Sequence, residues 1–179
     1  MQIYLAGPDV FLPDPLKIAH EKQTICQKYG FVGRFPLDQT LDLEQLSPWD
    51  AGLAIYRSNI QLMNDCDLIV ANMTPFRGPS LDAGTAFEMG YMTALGKPVF
   101  GYSNDGRLYG ARVTGQGTPL RDHLEMLIEQ FEMVDNLMIE GAIAESQGAI
   151  IYDRVEPEVY YTELKVFEQV IEIAAQTLS

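Results

Sequence analysis

The fold is decided by residues 68–102, which read LIVANMTPFRGPSLDAGTAFEMGYMTALGKPVFGY. Residues 68–71 form a short apolar run rich in β-branched side chains, which is typical of a strand covered on both faces. Residues 72–81 contain two prolines and a glycine and predict a loop. Residues 82–95 have helical character until a glycine ends the helix, and residues 97–102 predict the next strand. The stretch is therefore one strand–helix–strand unit.

The same alternation of short apolar runs and longer amphipathic segments extends along the chain in both directions. Further strands are predicted over residues 3–6, 31–35 and 149–152. Further helices are predicted over residues 16–29, 48–65, 120–143 (with a break near Asp135) and 161–178, and a long loop over residues 104–119. This order predicts an α/β fold: a flavodoxin-like, doubly wound five-stranded parallel sheet in a three-layer α/β/α arrangement, as a single domain over residues 1–179.

Composition narrows the classes of partner and the compartment. The 179 residues include 12 Lys and Arg against 25 Asp and Glu, a net charge of −13. Such a surface repels nucleic-acid backbones and anionic membranes, so neither is expected as a partner. Cys26 and Cys66 match no metal-ligand spacing, which favours small buried side chains in a reducing compartment. The first residues lack the pattern of a signal peptide, so a cytoplasmic location is expected.

Polar side chains follow the predicted strands at one edge of the sheet. Ligands of open parallel sheets bind at the carboxyl ends of strands, so the loops after Ala6, Ala71 and Tyr102 are the expected place for a site. Asp82 begins the helix after the third strand, where it can cap the helix, bind a ligand, or do both. Because a helix N-terminus alone favours an anion while a carboxylate repels phosphate, Asp82 favours a nucleoside over a nucleotide.

Two further residues have a functional and a structural interpretation. Glu88 lies six positions after Asp82, in a helix whose small residues allow close packing on the sheet. Facing the cleft, Glu88 would be a nucleophile toward an electrophilic sugar carbon; facing away, it would be an ordinary exposed glutamate. Tyr4, in the first strand, can hydrogen-bond such a carboxylate or serve as a core aromatic.

Four segments resemble those of nucleoside 2-deoxyribosyltransferases. They are YLAGPDVF at 4–11, DCDLIVAN at 65–72, SLDAGTAFEMGYMTALGKPV at 80–99 and DNLMIEG at 135–141. The resemblance extends in matching order over residues 3–152. It implies a transferase that moves a 2-deoxyribosyl group between purine and pyrimidine nucleobases by two displacements that retain the β configuration, with a role in nucleoside salvage. It also implies deoxynucleosides and free nucleobases as partners and no metal or organic cofactor.

The resemblance assigns roles residue by residue. Glu88 resembles the nucleophile that forms a deoxyribosyl ester, Tyr4 the phenol that orients it, and Asp82 the carboxylate that holds the sugar 5′-hydroxyl. Asn136 resembles a residue that family members lend to the neighbouring subunit's site, where it also touches the 5′-hydroxyl, with Met138 nearby. A homo-oligomer with shared active sites is therefore implied.

The same resemblance assigns two residues to the nucleobase but does not identify the group that protonates it. Phe11 resembles an aromatic residue that packs on the base. Some family members have an acidic residue at the base, where this sequence has Asn59. An amide can hydrogen-bond the base but cannot protonate it, so the general-acid role passes to water, Asp38 or Asp14.

Two other functions stay open at the level of sequence. A 2′-deoxynucleoside 5′-monophosphate N-glycosidase would use the same nucleophile with water as acceptor, although Asp82 argues against a bound phosphate. A non-catalytic nucleoside- or nucleotide-sensing module would bind its ligand without breaking the glycosidic bond, because a doubly wound fold does not by itself imply catalysis.

Overall fold

Five strands form one parallel sheet in residues 1–38 and 41–178, the part of the chain that the computed structural model describes. The strands are Gln2–Ala6 (β1), Val32–Arg34 (β2), Leu68–Asn72 (β3), Val99–Ser103 (β4) and Ile150–Tyr152 (β5). Their spatial order is β2-β1-β3-β4-β5, so the chain first moves outward from β1 and then returns to its other side. This is the flavodoxin-like doubly wound order, which confirms the predicted fold class.

The described ranges also contain six α-helices. They are Pro15–Lys28 (α1), Pro48–Asp65 (α2), Ala83–Ala94 (α3), Tyr109–Arg112 (α4), Leu137–Glu145 (α5) and Lys165–Thr177 (α6). The helices α1, α2, α3 and α5 begin at capping residues whose side chains accept backbone N–H groups: Asp14, Ser47, Asp82 and Asn136. Within the described ranges, no helix is long and apolar enough to cross a membrane.

The side chains of the central strands alternate between two hydrophobic cores. Ile3 and Leu5 of β1 join the core that also contains buried residues of α1 and α6. Tyr4 and Ala6 point to the opposite core, which contains buried residues of α2, α3 and α5. A strand that is buried on both faces reads as an apolar run, which is why β3 is recognisable in the sequence. Cys26 and Cys66 are buried, unbridged members of these cores, as predicted.

A buried ion pair holds the turn that follows β1. Lys22 Nζ of α1 lies 2.8 Å from Asp9 Oδ2, and each side chain is 1% exposed. The amide Nδ2 of Asn72, at the end of β3, donates to Asp9 Oδ1 at 3.2 Å. Gly7 leaves the room for this arrangement, since a Cβ there would lie 2.4 Å from Asp9 Oδ2. The carboxyl ends of β1 and β3 are thereby joined, and this places the adjoining loops.

The predicted helix over residues 120–143 is wrong for most of its length. Residues 116–127 instead form isolated antiparallel bridges, and a regular helix begins only at Leu137. Glu125 (φ 61°) and Glu132 (φ 59°) adopt left-handed backbone conformations that no α-helix contains. The Asp122 side chain accepts the backbone N–H groups of Leu124 and Met126, a local turn that competes with helix formation. Because residues 120–134 of the described chain form no helix, the predicted break near Asp135 is instead the start of α5, at Leu137 after its cap Asn136.

Candidate active site

A cavity of about 330 Å³ lies between α2 and α3. Its walls are mostly apolar, with two polar side chains among them; the lining residues are Tyr56, Asn59, Ile60, Met63, Gly84, Phe87 and Glu88. The α2 members recur at intervals of three or four residues, the spacing of one helical face. Two of the predicted site residues, Asn59 and Glu88, therefore face the same space from two helices.

Tyr4 and Glu88 form a direct hydrogen bond at this cavity. The Tyr4 hydroxyl donates to Glu88 Oε1 at 2.5 Å, across 84 positions of sequence. Tyr4 is fully buried in the core beneath α2 and α3, while Glu88 reaches the cavity from the second turn of α3. The structure thus brings the two predicted catalytic residues together, with only Glu88 lining the cavity.

The environment of this pair changes the proton affinity of both groups. Burial raises the pKa of Glu88 to about 7; the Tyr4 hydrogen bond acts in the opposite direction, and the nearby carboxylate of Asp82 adds to the increase. Burial and the neighbouring Glu88 raise the pKa of the Tyr4 phenol well above its usual range. Tyr4 is therefore a permanent donor at neutral pH, and Glu88 changes its charge close to neutrality.

Asp82 caps α3 beside the cavity. Its Oδ2 accepts the backbone N–H of Thr85 at 2.9 Å and the Thr85 hydroxyl at 3.2 Å. A Cβ at Gly84 would lie 2.9 Å from the same oxygen, so this position favours glycine. The capping role of Asp82 is confirmed; both capping contacts use Oδ2, and Asp82 is not among the lining residues of the described cavity.

Asn136 and Met138 lie at the start of α5. Asn136 Oδ1 accepts the backbone N–H of Met138 at 3.0 Å, and its Nδ2 donates to Glu129 Oε1 at 3.1 Å. The Met138 side chain is 71% exposed. Neither residue lines the α2–α3 cavity of its own chain as described, and Asn136 is half-buried while Met138 is exposed.

Phe11 lies in a different group of side chains, at the carboxyl end of β1. Its ring stacks on Phe76, with 5.4 Å between centroids, and the Arg77 guanidinium lies 4.6 Å from the Phe76 centroid. Phe11 is not among the lining residues of the described cavity. The structure thus places the predicted base-packing residue on an exposed aromatic cluster near the same edge of the sheet.

The two carboxylates considered as general acids have structural partners. Asp14 Oδ1 accepts the backbone N–H of Lys17 and caps α1. Asp38 accepts the backbone N–H of Phe35 and the Gln23 side-chain amide. Neither lines the described cavity with Glu88.

Sequence reasoning missed three members of the site and its surroundings. Tyr56 and Phe87 line the cavity, and each ring is half exposed. Tyr56 could have been found because it lies three positions before Asn59 on α2. Asp135, a buried carboxylate that contacts the loop before Asp82, had no local signal beyond its place in the DNLMIEG segment. Among the described residues, no group of three or more His, Cys, Asp or Glu side chains is placed to hold a metal ion.

The fold and the site together define an α/β protein of flavodoxin-like topology with a carboxylate–phenol pair at a small apolar cavity. Residues 3–138 match the family model described as nucleoside 2-deoxyribosyltransferase, and the chain belongs to that family. It is a family of enzymes that act on nucleosides and nucleobases.

Three individual proteins are similar to this chain in sequence or in fold. A 2-desoxiribosyltransferase from Leishmania mexicana has a solved structure that is 26% identical, with a TM-score of 0.64 over 96% of this chain and 97% of that chain. An uncharacterised protein of Schizosaccharomyces pombe, C191.05c, is 31% identical over 91% of this chain and 86% of its own length. The CMP N-glycosidase BcmB of Clostridium botulinum shares the fold at 15% identity, with a TM-score of 0.50 over 97% and 99% of the two chains.

Proposed function

We propose that this protein transfers the 2-deoxyribosyl group between nucleobases, from purine and pyrimidine 2′-deoxynucleosides, by a retaining double displacement. The observation that carries the proposal is the hydrogen bond between Tyr4 and Glu88 at the wall of the apolar cavity. A carboxylate oriented by a buried donor, at a cavity with a mostly apolar lining, is suited to attack an anomeric carbon. Membership of the family supports the same chemistry.

In the first displacement, a Glu88 carboxylate oxygen bonds to C1′ of the deoxyribose. The C1′–N glycosidic bond breaks, and its electron pair leaves with the base. The oxocarbenium-like sugar of the transition state is stabilised by the adjacent negative charge of Glu88. The departing base takes its proton from water, because Asn59 cannot supply one and Asp14 and Asp38 have partners elsewhere.

In the second displacement, a ring nitrogen of the incoming base attacks C1′ from the face that the first base left. The C1′–O bond breaks, the Glu88 carboxylate is restored, and the incoming base loses its N–H proton to water. Two inversions give net retention. Water competes with the second base for the intermediate, so the apolar lining of the cavity favours transfer over hydrolysis.

Substrate recognition is assigned to the residues around the pair. Asp82 holds the sugar 5′-hydroxyl with the carboxylate oxygen that does not cap α3. Asn59 hydrogen-bonds the base from α2, and the rings of Tyr56 and Phe87 supply apolar surface at the same cavity. Phe11, which follows the carboxyl end of β1, is assigned to pack on the base.

The chain is proposed to act as a homo-oligomer in which Asn136 and Met138 complete the neighbouring subunit's site, with Asn136 binding the sugar 5′-hydroxyl there. Two exposed apolar surfaces support this: Trp49, Tyr56 and Phe87 beside the cavity, and a second group consisting of Leu124 (63%), Leu127 (62%), Phe131 (60%) and Met138 (71%). Large apolar side chains exposed to this extent fit surfaces that a neighbouring subunit covers.

We expect sedimentation velocity to show an oligomer of the wild-type chain. Phe131→Glu places a charge in the second apolar surface and is expected to dissociate the oligomer and to lower transfer at least about tenfold, because each site loses its neighbour's residues. Val159→Glu, a change at an exposed apolar residue of a short turn distant in sequence from both surfaces, serves as the control. A fully active monomer would contradict the shared-site arrangement.

The reaction itself is tested by chromatography of the purified chain with thymidine and adenine. We expect deoxyadenosine and thymine, and no free base from dCMP or dGMP incubated alone. Free base from a monophosphate without an acceptor would favour the hydrolase instead. A chain that binds deoxynucleosides without forming any product would favour the sensing module.

The pH dependence of transfer is expected to report Glu88. Because the nucleophile must be ionised and its pKa is about 7, kcat/KM is expected to fall as the pH drops through neutrality. Tyr4→Phe removes the donor that favours the carboxylate, so the pKa of Glu88 rises further and the acid limb moves up by about one pH unit. The measurement is kcat/KM from pH 5 to 9 for both proteins.

Tyr91→Phe is the matched control for this experiment. Tyr91 lies on the same helix as Glu88, and its hydroxyl donates to Asn64 Oδ1 at 2.9 Å rather than to a site residue. Its profile should coincide with that of the wild type. An unmoved acid limb in Tyr4→Phe would refute the role given to the phenol.

A further inference from the structure

Asp135 is a buried carboxylate that joins two loops at the edge of the candidate site. Asp135 is 2% exposed and immediately precedes Asn136, the capping residue of α5. The Ser80 hydroxyl donates to its Oδ1, and the backbone N–H of Leu81 donates to its Oδ2 at 3.0 Å. The backbone N–H of Asn136 donates to Oδ1 at 2.8 Å. One carboxylate therefore binds the segments before α3 and before α5 at the same time.

A third segment reaches the same carboxylate. Arg112 Nη2, at the end of α4, lies 3.4 Å from Asp135 Oδ2, and the Arg112 side chain is 2% exposed. The Arg112 Nε and Nη1 atoms have no hydrogen-bond partner within the described part of the chain. A buried carboxylate with this many donors is costly to desolvate and strongly directional, so it specifies the relative position of the segments that it joins.

The two segments end at the two residues assigned to the 5′ end of the sugar. Leu81 is followed directly by Asp82, and Asp135 is followed directly by Asn136. Both Asp82 and Asn136 cap a helix, and the Asp135 contacts set the backbone immediately at these caps. A shift of either cap would move the side chain that meets the 5′-hydroxyl.

We propose that Asp135 is the positioning residue for recognition of the sugar 5′-hydroxyl, acting through Asp82 and Asn136 without touching the substrate. The inference rests on the proposed function, in which these two residues bind that hydroxyl. Because Asn136 is assigned to the neighbouring subunit's site and Asp82 to the site of its own chain, Asp135 links the 5′-hydroxyl contacts of two sites in the oligomer. Loss of Asp135 should then weaken discrimination for the 5′-hydroxyl more than it weakens catalysis as such.

The test compares a 2′-deoxynucleoside with its 2′,5′-dideoxy analogue, which lacks only the 5′-hydroxyl. Asp135→Asn keeps the shape of the side chain but replaces one acceptor by a donor, which opposes the N–H group of either Leu81 or Asn136. We expect the ratio of kcat/KM for the two substrates to fall at least about tenfold, with kcat/KM for the analogue changed less than about threefold. The wild-type protein is measured in parallel with both substrates.

A second variant removes only one contact. Ser80→Ala deletes the hydroxyl donor to Asp135 and is expected to lower the same ratio by about threefold. In the double variant, the Ser80 change should have no further effect, because its partner is already altered. Ser80→Ala therefore decides the matter if Asp135→Asn does not fold.

Asp67→Asn is the matched control, since the Asp67 carboxylate also accepts a backbone N–H, that of Gln2 at 2.7 Å, but does so at the amino end of β1 and away from the caps of α3 and α5. This control should leave unchanged both the ratio of the two kcat/KM values and the kcat/KM for the analogue. Equal losses on both substrates in Asp135→Asn, or an unchanged ratio, would overturn the positioning role while leaving the transferase intact. A wild-type protein that transfers from neither substrate would overturn the proposed function and this inference together.

Discussion

Replacing Glu88 by Gln is expected to lower deoxyribosyl transfer by at least about 10³-fold, because an amide cannot form the ester with C1′. The fold should persist, since Gln retains the oxygen that accepts the Tyr4 hydrogen bond. The measurements are the rate of deoxyadenosine formation and intact-protein mass spectrometry after incubation with a deoxynucleoside alone. The wild type should gain the mass of one deoxyribosyl group, and the variant should not.

Glu88→Gln is also expected to change how the free energy of unfolding depends on pH. The pKa of Glu88 is about 7 in the folded chain and lies near its ordinary value of 4.5 when unfolded, so the native state binds more protons between these values. Stability contributed by Glu88 is therefore lost as the pH rises through this window. Glu88→Gln should raise the free energy of unfolding above pH 7 by an amount on the order of 2–3 kcal/mol, with little change below pH 4.

Glu172→Gln is the control for both measurements, because Glu172 is an exposed residue of α6 on the opposite side of the sheet. It should leave transfer and the pH dependence of unfolding unchanged. Wild-type rates in Glu88→Gln would refute the mechanism. A variant that is inactive and also much less stable would instead point to a structural role for Glu88.

Replacing Asp82 by Asn is expected to weaken the exclusion of 5′-phosphorylated substrates. Two unit charges a few Å apart near a protein surface repel by about 2–4 kcal/mol, so the ratio of kcat/KM for a deoxynucleoside and its 5′-monophosphate should fall roughly 30- to 900-fold. The cap of α3 should survive, because Asn is as good a capping residue as Asp. The measurement is that ratio, together with its dependence on salt.

Asp67→Asn removes the same charge at the opposite edge of the sheet. Asp67 Oδ2 accepts the backbone N–H of Gln2 at 2.7 Å, so the amide oxygen of Asn can keep this hydrogen bond while one negative charge is removed. Discrimination against phosphate should be unchanged in Asp67→Asn. If both variants gave the same ratio as the wild type, Asp82 would not be the residue that excludes the phosphate.

Local pattern was sufficient for most of the secondary structure and misleading in one segment. The strands β3 and β4 are buried throughout, so their apolar runs were unambiguous. The apolar residues between 120 and 134 recur at helical intervals, yet Leu124, Leu127 and Phe131 are exposed and form no buried stripe. Periodicity reports apolar spacing and does not distinguish a stripe that faces a core from a surface available to a partner.

In the candidate site, too, features set by neighbouring residues were predictable from the sequence, and contacts between distant residues were not. The sequence by itself determined that Asp82 begins α3 and that Glu88 lies on the same helix, because capping chemistry and helical spacing act over a few residues. It also determined the order of strands that brings their carboxyl ends together. Only the tertiary structure decided that the Tyr4 hydroxyl reaches Glu88 and that Asp135 joins the loops before α3 and α5. These contacts span 84 and 55 positions, and they depend on how each helix is rotated and packed on the sheet, which short-range preferences leave open.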